Sequence, residues 1–164
     1  MCIRDSHDTI KVTQEMCDHN GHMNVNYYYK LFDSVYTSFY IDELGFGEDY
    51  LKSGFSTFTL EDSIRYLDEF TLGENVFPSF TLYKSNKKLL HFIGILQNEN
   101  SDLAAIFETV LGHIDLNKRK VVNFSDEKIK QLQNLIGKWK TKEMRALTYI
   151  TKYTKKLSRL EKQQ

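Results

Sequence analysis

Residues 24–44 carry apolar side chains at helical spacing in two adjoining stripes. One holds Val25, Tyr28, Phe32, Val35 and Phe39, the other Tyr29, Tyr36 and Tyr40. A helix apolar over so much of its circumference cannot lie on a surface with one side in water; the rest of the chain has to wrap it. The following sequence supplies the wrapping. After Gly45, Gly47 and a short helical turn at 48–53, the apolar period changes to two: Phe58, Leu60, Asp62, Ile64 and Tyr66 alternate with Thr59, Glu61, Ser63 and Arg65. Four more runs occupy 76–84, 89–97, 103–116 and 120–124. Their connections at Ser85-Asn86, 98–102 and Asn117-Lys118 are short and turn-like, which predicts hairpins and antiparallel pairing. Pro78 fits an edge or a bulge, because proline cannot donate to a ladder. A short alternating run at 8–15 precedes the helix. Strand, buried helix, then antiparallel meander predicts an α+β architecture with one long helix on a curved sheet.

The remaining segments divide the chain. Residues 1–7 show no period and are expected to be a non-native or disordered leader, so the folded domain is taken as 8–136. Ser125 can cap a closing helix whose first turn carries Asp126 and Glu127, with Gly137 ending it. Beyond it, Leu147, Ile150, Tyr153, Leu157 and Leu160 form an apolar stripe set among lysines, predicting a basic amphipathic helical tail over 137–164. The whole chain sums to zero, 22 Lys+Arg against 22 Asp+Glu, but that sum describes no actual surface. The tail holds nine basic and two acidic residues, leaving thirteen basic and twenty acidic residues for 1–136. An acidic body argues against nucleic acid as a partner, and the tail's stripe is expected to dock on protein.

A length of 164 residues with 41% apolar and 27% charged residues suits one ordered domain. No run of eighteen apolar residues exists, so no membrane span is expected. The start lacks a signal peptide's apolar stretch, which places the protein in the cytoplasm. Cys2 and Cys17 cannot build a disulfide framework.

The densest polar cluster, Asp18-His19-Asn20-Gly21-His22-Met23-Asn24, stands at the entry to the buried helix. Helix starts present unbonded backbone amides and partial positive charge, suited to a developing oxyanion. A carboxylate on the loop opposite can act as nucleophile or general base, so the cluster reads as an acyl-transfer site with Asp18 as the working group. The plainer reading is that Asp18, Asn20 or Asn24 only caps the helix.

The pattern Asp18-x-x-Gly21-His22-Met23-Asn24, followed by Tyr27-Tyr28 and a long helix, resembles the active-site signature of hotdog-fold acyl-CoA thioesterases of the 4-hydroxybenzoyl-CoA thioesterase group. The likeness continues through Leu44-Gly45-Phe46-Gly47, Thr59-Leu60-Glu61, Ile64-Arg65-Tyr66-Leu67 and Gly112-His113-Ile114-Asp115, and is similar to betainyl-CoA thioesterases of carnitine breakdown. It spans about 9–135 and does not reach the basic tail. The resemblance implies a hotdog fold, an antiparallel five- to six-stranded sheet around the helix, and hydrolysis of an acyl-CoA to a carboxylic acid and free CoA. It implies Asp18 as the attacking or water-activating carboxylate, the amides around 22–25 (Met23 and Val25) as the oxyanion hole, and His22 and Asn24 as orienting groups. It also implies a homodimer or dimer of dimers with active sites at the interface. No cofactor is expected, coenzyme A being part of the substrate. The competing readings are a non-catalytic acyl-CoA binding module and a dehydratase on the same fold.

Further candidates lie outside the motif. Glu61 is a second carboxylate for water activation or a cationic acyl group, and Arg65 on the same strand face could pair with it or meet a phosphate. Tyr27, Tyr28, Tyr29 and Tyr66 with Glu61 could form an aromatic box for a trimethylammonium group, against a plainer role as core. Lys84, Lys87 and Lys88 flank a hairpin turn and are candidates for the CoA phosphates. Other signals fail: His19-x-x-His22 lacks a third and fourth metal ligand, Gly45-x-Gly47 closes a helix rather than opening one, and no nucleophile elbow occurs. No metal site is expected.

Overall fold

The computed structural model describes residues 4–5 and 9–136. The expectations for the tail 137–164, and for the leader apart from Arg4–Asp5, fall outside the described residues. Helix α1 (Val25–Ser38) begins where Asn24, at φ −64° and ψ 141°, accepts the Asn26 N–H on its side chain, a role to which asparagine is well suited. The helix widens into a π-type turn at Phe39–Glu43, then stops at Leu44. Gly45, at φ +71°, takes the left-handed conformation that lets the chain leave. The short helix α2 (Glu48–Lys52) follows.

The sheet is antiparallel throughout. Its long strands are β3 (Phe55–Tyr66), β4 (Asn75–Ser85), β5 (Leu89–Gln97) and β6 (Leu103–Asp115). Two-residue strands β1 (Arg4–Asp5) and β2 (Ile10–Lys11) pair with β4, and β7 (Lys120–Val121) pairs with β6. The order β1-β4-β5-β6-β3 leaves β3 at one margin and places Pro78 near the other. Of the strand expected at 8–15 only Ile10–Lys11 pairs, because Gln14–Met16 turns as a 3-10 helix toward the polar loop. Among the described residues, no helix is long and apolar enough to cross a membrane.

The inner face of the sheet closes on α1. Phe32 stacks on Phe107 at 5.1 Å and meets Phe80 edge-on at 5.7 Å. Gly94 permits this approach, since a Cβ there would stand 2.6 Å from the Phe80 ring. Helix α3 (Asp126–Leu135), capped by the Ser125 hydroxyl, covers the end of the core. Its Lys128 is 7% exposed and donates to the Leu44 carbonyl, satisfying a group that the end of the π-type turn leaves without an intrahelical partner. The ammonium also lies 4.3 Å from the Phe46 ring centre, and burial lowers its pKa.

Strand β3 departs from the simple alternation. Its register with β6 shifts between Thr59 and Glu61, making Leu60 the extra residue of a bulge. Directly paired residues share a face. Phe58 pairs with Gly112 and Glu61 with Val110, on the outer side, whereas Asp62 pairs with Thr109 and Ile64 with Phe107, on the helix side. Phe58 and Leu60 therefore leave the face shared by Asp62, Ile64 and Tyr66. Glu61 and Arg65, expected beside the acyl-transfer site, stand on the side of the sheet away from α1.

Candidate active site

The polar loop is a tight hairpin. Gly21 N–H bonds to the Asp18 carbonyl at 3.1 Å, Asp18 N–H bonds to the His22 carbonyl at 2.9 Å, and Cys17 bridges Met23. Gly21 sits at φ +77°, a conformation this turn requires and glycine supplies without strain. The hairpin is fastened to residues 70–72 by Met23 N–H to the Phe70 carbonyl (2.7 Å), Leu72 N–H to the Gly21 carbonyl (3.2 Å) and a bridge between His22 and Thr71. Asn24 N–H closes the loop on the Met16 carbonyl at 2.8 Å.

Within this frame the Asp18 carboxylate is held by Oδ1, which accepts the Asn20 N–H at 2.8 Å and the His22 N–H at 3.3 Å. The Asn20 amide, with the His22 amide adding to it against the cost of desolvation, lowers the Asp18 pKa below the ordinary carboxylate value. The group is therefore ionised at neutral pH, and among the described bonds its Oδ2 makes none. A half-buried carboxylate with one oxygen anchored and the other open is the arrangement a nucleophile or general base needs.

The amides nearby divide sharply. Met23 N–H, expected as one of two oxyanion donors, is occupied by Phe70, which removes it from that role. Asn26 N–H is taken by the Asn24 side chain and Tyr27 N–H by the Asn24 carbonyl. Val25 N–H, the first of α1, has no acceptor among the described bonds and remains for a ligand. Asn24 thus works as the helix cap, the plainer of its two readings. His22 orients Asp18 through its backbone amide, while its imidazole Nδ1 lies 3.1 Å from Glu69 Oε2, a partner that no sequence spacing marks.

Other expected residues do not converge on this loop. Tyr28 is 3% exposed, meets Tyr66 edge-on at 5.1 Å and accepts the Phe70 N–H at 3.2 Å; it is core, so the box of Tyr27, Tyr28, Tyr29, Tyr66 and Glu61 does not form. Tyr27 is half-buried beneath the Lys30 ammonium at 4.5 Å. Tyr29 O–H donates to Asp62 Oδ2 at 3.2 Å, making Asp62 the β3 carboxylate that faces α1. Lys84, Lys87 and Lys88 flank the turn at the far end of β4 from the loop, eleven strand residues away, or about 35 Å. Asn86 shapes that turn by accepting the Lys88 and Leu89 amides.

A cavity of about 430 Å³ opens farther along α1, walled by Tyr36, Tyr40, Phe46, Tyr50 and Phe55 with the carboxylates Asp33 and Glu48. Two of its hydroxyls are fixed by long-range bonds. Tyr40 O–H meets Thr57 Oγ1 at 2.6 Å and Tyr50 O–H meets His113 Nε2 at 2.7 Å. His113 Nδ1 faces the Val122 carbonyl at 3.1 Å, so the ring carries its proton there and accepts from Tyr50. Burial pushes the Tyr50 hydroxyl up to about 12 and lowers the His113 pKa.

Comparison with known proteins agrees with this architecture. The family model of the Thioesterase-like superfamily matches residues 12–135. The L-carnitine dehydrogenase/betainyl-CoA thioesterase of Rhizobium meliloti is 31% identical over 113 residues, 68% of this chain and 23% of that protein. This chain thus spans about a quarter of the length of the curated relatives it matches. A hypothetical protein of Staphylococcus aureus in complex with CoA superposes with TM-score 0.70 and 26% identity, covering 82% of this chain and 89% of that one. A DHNA-CoA thioesterase from the same organism has TM-score 0.64 and 23% identity, covering 82% and 91%. The curled antiparallel sheet around one helix is the hotdog fold.

Proposed function

The chain belongs to the thioesterase-like superfamily, and from that premise we propose that it hydrolyses a small cationic acyl-CoA, with Asp18 and the Val25 N–H as its working groups. The observation that carries this reading is the pairing of an anchored, ionised carboxylate, whose Oδ2 makes no bond among the described residues, with the Val25 N–H at the start of α1, which has no acceptor among them. The thioester carbonyl oxygen accepts the Val25 N–H, which stabilises negative charge as it grows on that oxygen. Asp18 Oδ2 attacks the carbonyl carbon or takes a proton from the attacking water. The C–S bond then breaks and releases the CoA thiolate. Where Asp18 attacked, water cleaves the resulting acyl anhydride and frees the carboxylate; where water attacked, its oxygen is already in the acid. In either case one water is consumed, its protons are shared between the acid and the thiolate, and the products are a carboxylic acid and the free CoA thiol.

In one chain the aromatic cavity lies well down the helix from this site, since Asp33 and Tyr40 are eight and fifteen residues beyond Val25, about 12–22 Å at the helical rise. A second copy removes the gap. Among the described residues the outer margin of β3, twelve residues long, pairs with no strand and shows Leu60 48% and Tyr66 49% exposed, a template for pairing. Antiparallel pairing of two β3 margins about a two-fold axis lays the Tyr66 end of one copy, beside its α1 start, against the Phe55 end of the other, beside its cavity. The site is then composite, with Asp18 from one protomer and the aromatic walls from its partner. Aromatic faces with carboxylates at the mouth suit a quaternary ammonium, and the relatives named betainyl-CoA thioesterases favour that acyl group.

A panel of thiol-release assays on betainyl-, 4-hydroxybenzoyl-, short- and long-chain acyl-CoA tests the proposal. Betainyl-CoA should be turned over fastest. Asp33→Asn with Glu48→Gln should raise KM for that substrate about tenfold or more while sparing a neutral short-chain ester. Preference for long-chain esters without betainyl-CoA hydrolysis would refute the substrate, and tight binding without any thiol release would refute the enzyme in favour of a binding module.

A further inference from the structure

The aromatic cavity is polarised by a bond made behind its wall. His113 is 2% exposed and lies between Phe124, stacked at 4.2 Å, and Phe55, stacked at 5.2 Å. Its Nδ1 donates to the Val122 carbonyl, which has no proton to give, so in the neutral ring Nε2 has only a lone pair to offer. Burial lowers the pKa of the ring and keeps it neutral at neutral pH. The 2.7 Å contact with Tyr50 therefore has one direction: the phenol donates and the imidazole accepts. The Tyr50 proton is spent, and its oxygen has only lone pairs left for anything in the cavity. Thr37, which also lines the cavity, spends its hydroxyl proton in the same way, on the Asp33 carbonyl at 3.0 Å. The hydroxyl of Tyr36 does not offset them, because its oxygen is closed off from solvent. A guest thus meets two oxygens that accept and do not donate, beside the rings of Tyr40, Phe46 and Phe55. Such oxygens attract positive charge and repel a carbonyl or carboxylate oxygen. Glu48 at the mouth is already paired with Lys52 at 3.0 Å. The Lys128 ammonium near Phe46 and Tyr50 is taken up by the Leu44 carbonyl and by Gln131 Oε1 at 3.1 Å. The polarity of the wall therefore adds to what Asp33 supplies.

We propose that His113 sets the charge preference of this cavity. By accepting from Tyr50 it fixes the phenol as an acceptor toward the guest, which favours an acyl group ending in a quaternary ammonium and disfavours one ending in an oxygen acceptor. His113 does not line the cavity and touches no substrate; it is a positioning residue that acts through Tyr50. The inference rests on the cavity's serving as the acyl pocket of the composite site. It carries a consequence that packing alone does not. With the imidazole acceptor removed, the Tyr50 O–H is free to turn inward and donate to a carbonyl oxygen, so the cavity should gain affinity for the very groups it now disfavours.

Three esters of similar size separate the effects: betainyl-CoA, its neutral isostere 3,3-dimethylbutyryl-CoA, and acetoacetyl-CoA, whose terminal ketone is an acceptor. Thiol release by the full chain gives kcat/KM for each at about pH 8, where His113 is neutral. In His113→Phe the ring can keep its stack on Phe55 and Phe124 but loses the acceptor. There kcat/KM for acetoacetyl-CoA relative to the isostere should rise about three- to tenfold, the worth of one hydrogen bond, and the betainyl ratio should fall by a similar factor. His113→Gln, which keeps an acceptor oxygen, should restore most of both ratios. With Tyr50→Phe in place, His113→Phe should change neither ratio, a result that lost packing would not give. Ratios within about twofold of the unsubstituted chain, or shifts that are the same with and without the Tyr50 hydroxyl, would overturn the proposal. If His113→Phe does not fold, Tyr50→Phe alone decides: deleting the oxygen should lower the betainyl ratio about three- to tenfold, and an unchanged ratio refutes the role. Absence of betainyl-CoA hydrolysis by the unsubstituted chain refutes the substrate reading, while the acetoacetyl ratio still tests His113. If no thiol is released at all, equilibrium binding of the same esters supplies the ratios and the same outcomes decide.

Discussion

Replacing Val25 by proline isolates one hydrogen bond of the proposed mechanism. Val25 is the first residue of α1, a position where proline fits because its fixed φ is helical and its missing N–H has no intrahelical acceptor. The residue before proline must avoid the helical region, and Asn24 already does so at ψ 141°. The Val25 side chain is 55% exposed, so its loss removes little packing. Fold and cap should therefore survive while the open donor disappears. Loss of one oxyanion donor costs about 2.7–4 kcal/mol in the transition state, so kcat should fall about 10²–10³-fold. Steady-state thiol release and thermal unfolding should be measured together, with Val25→Ala as the side-chain control. A kcat within about threefold of wild type, with an unchanged melting temperature, would refute Val25 N–H as the oxyanion donor.

Other parts of the structure give independent tests. Because amide bonds hold Asp18 below the ordinary carboxylate pKa, kcat/KM should show no acid limb from this group between about pH 5 and 7; an essential group titrating near pH 6 would point to another base. Gly94→Ala would place a methyl 2.6 Å from Phe80 and should cost about 1–3 kcal/mol in denaturant unfolding, an effect absent if the aromatic core has room. Burial lowers the folded-state pKa of His113, so the unfolded chain takes up this proton first as the pH falls. Stability from neutral His113 should be present above about pH 6.5 and lost below it, down to the folded-state pKa; His113→Gln should flatten that part of the unfolding profile.

The architecture could be read from residue order because it rests on local periodicity. The helix of 24–44 and the strands after it declared themselves by spacing, and the turn at Asn86 by composition. Asp18, Gly21 and the Asn24 cap were legible for the same reason, since a tight turn and a helix start are local events. The bulge at Leu60 was not. One extra residue leaves the alternation looking intact on either side, yet it turns Glu61 outward and brings Asp62 to the helix. Nor could the sequence indicate that Met23 N–H would be taken by Phe70 or His22 by Glu69, since both partners lie more than forty residues away. Nothing in the sequence marks Lys128; only the fold brings the Leu44 carbonyl beneath it.

Asp18→Asn addresses the central claim most directly. Asparagine's carbonyl oxygen can still accept the Asn20 and His22 amides, so the loop, melting temperature and affinity for a CoA ester should be preserved. Thiol release in the same preparation should fall about a thousandfold or more. Turnover near the wild-type rate by the folded variant would contradict the account and remove Asp18 from the chemistry.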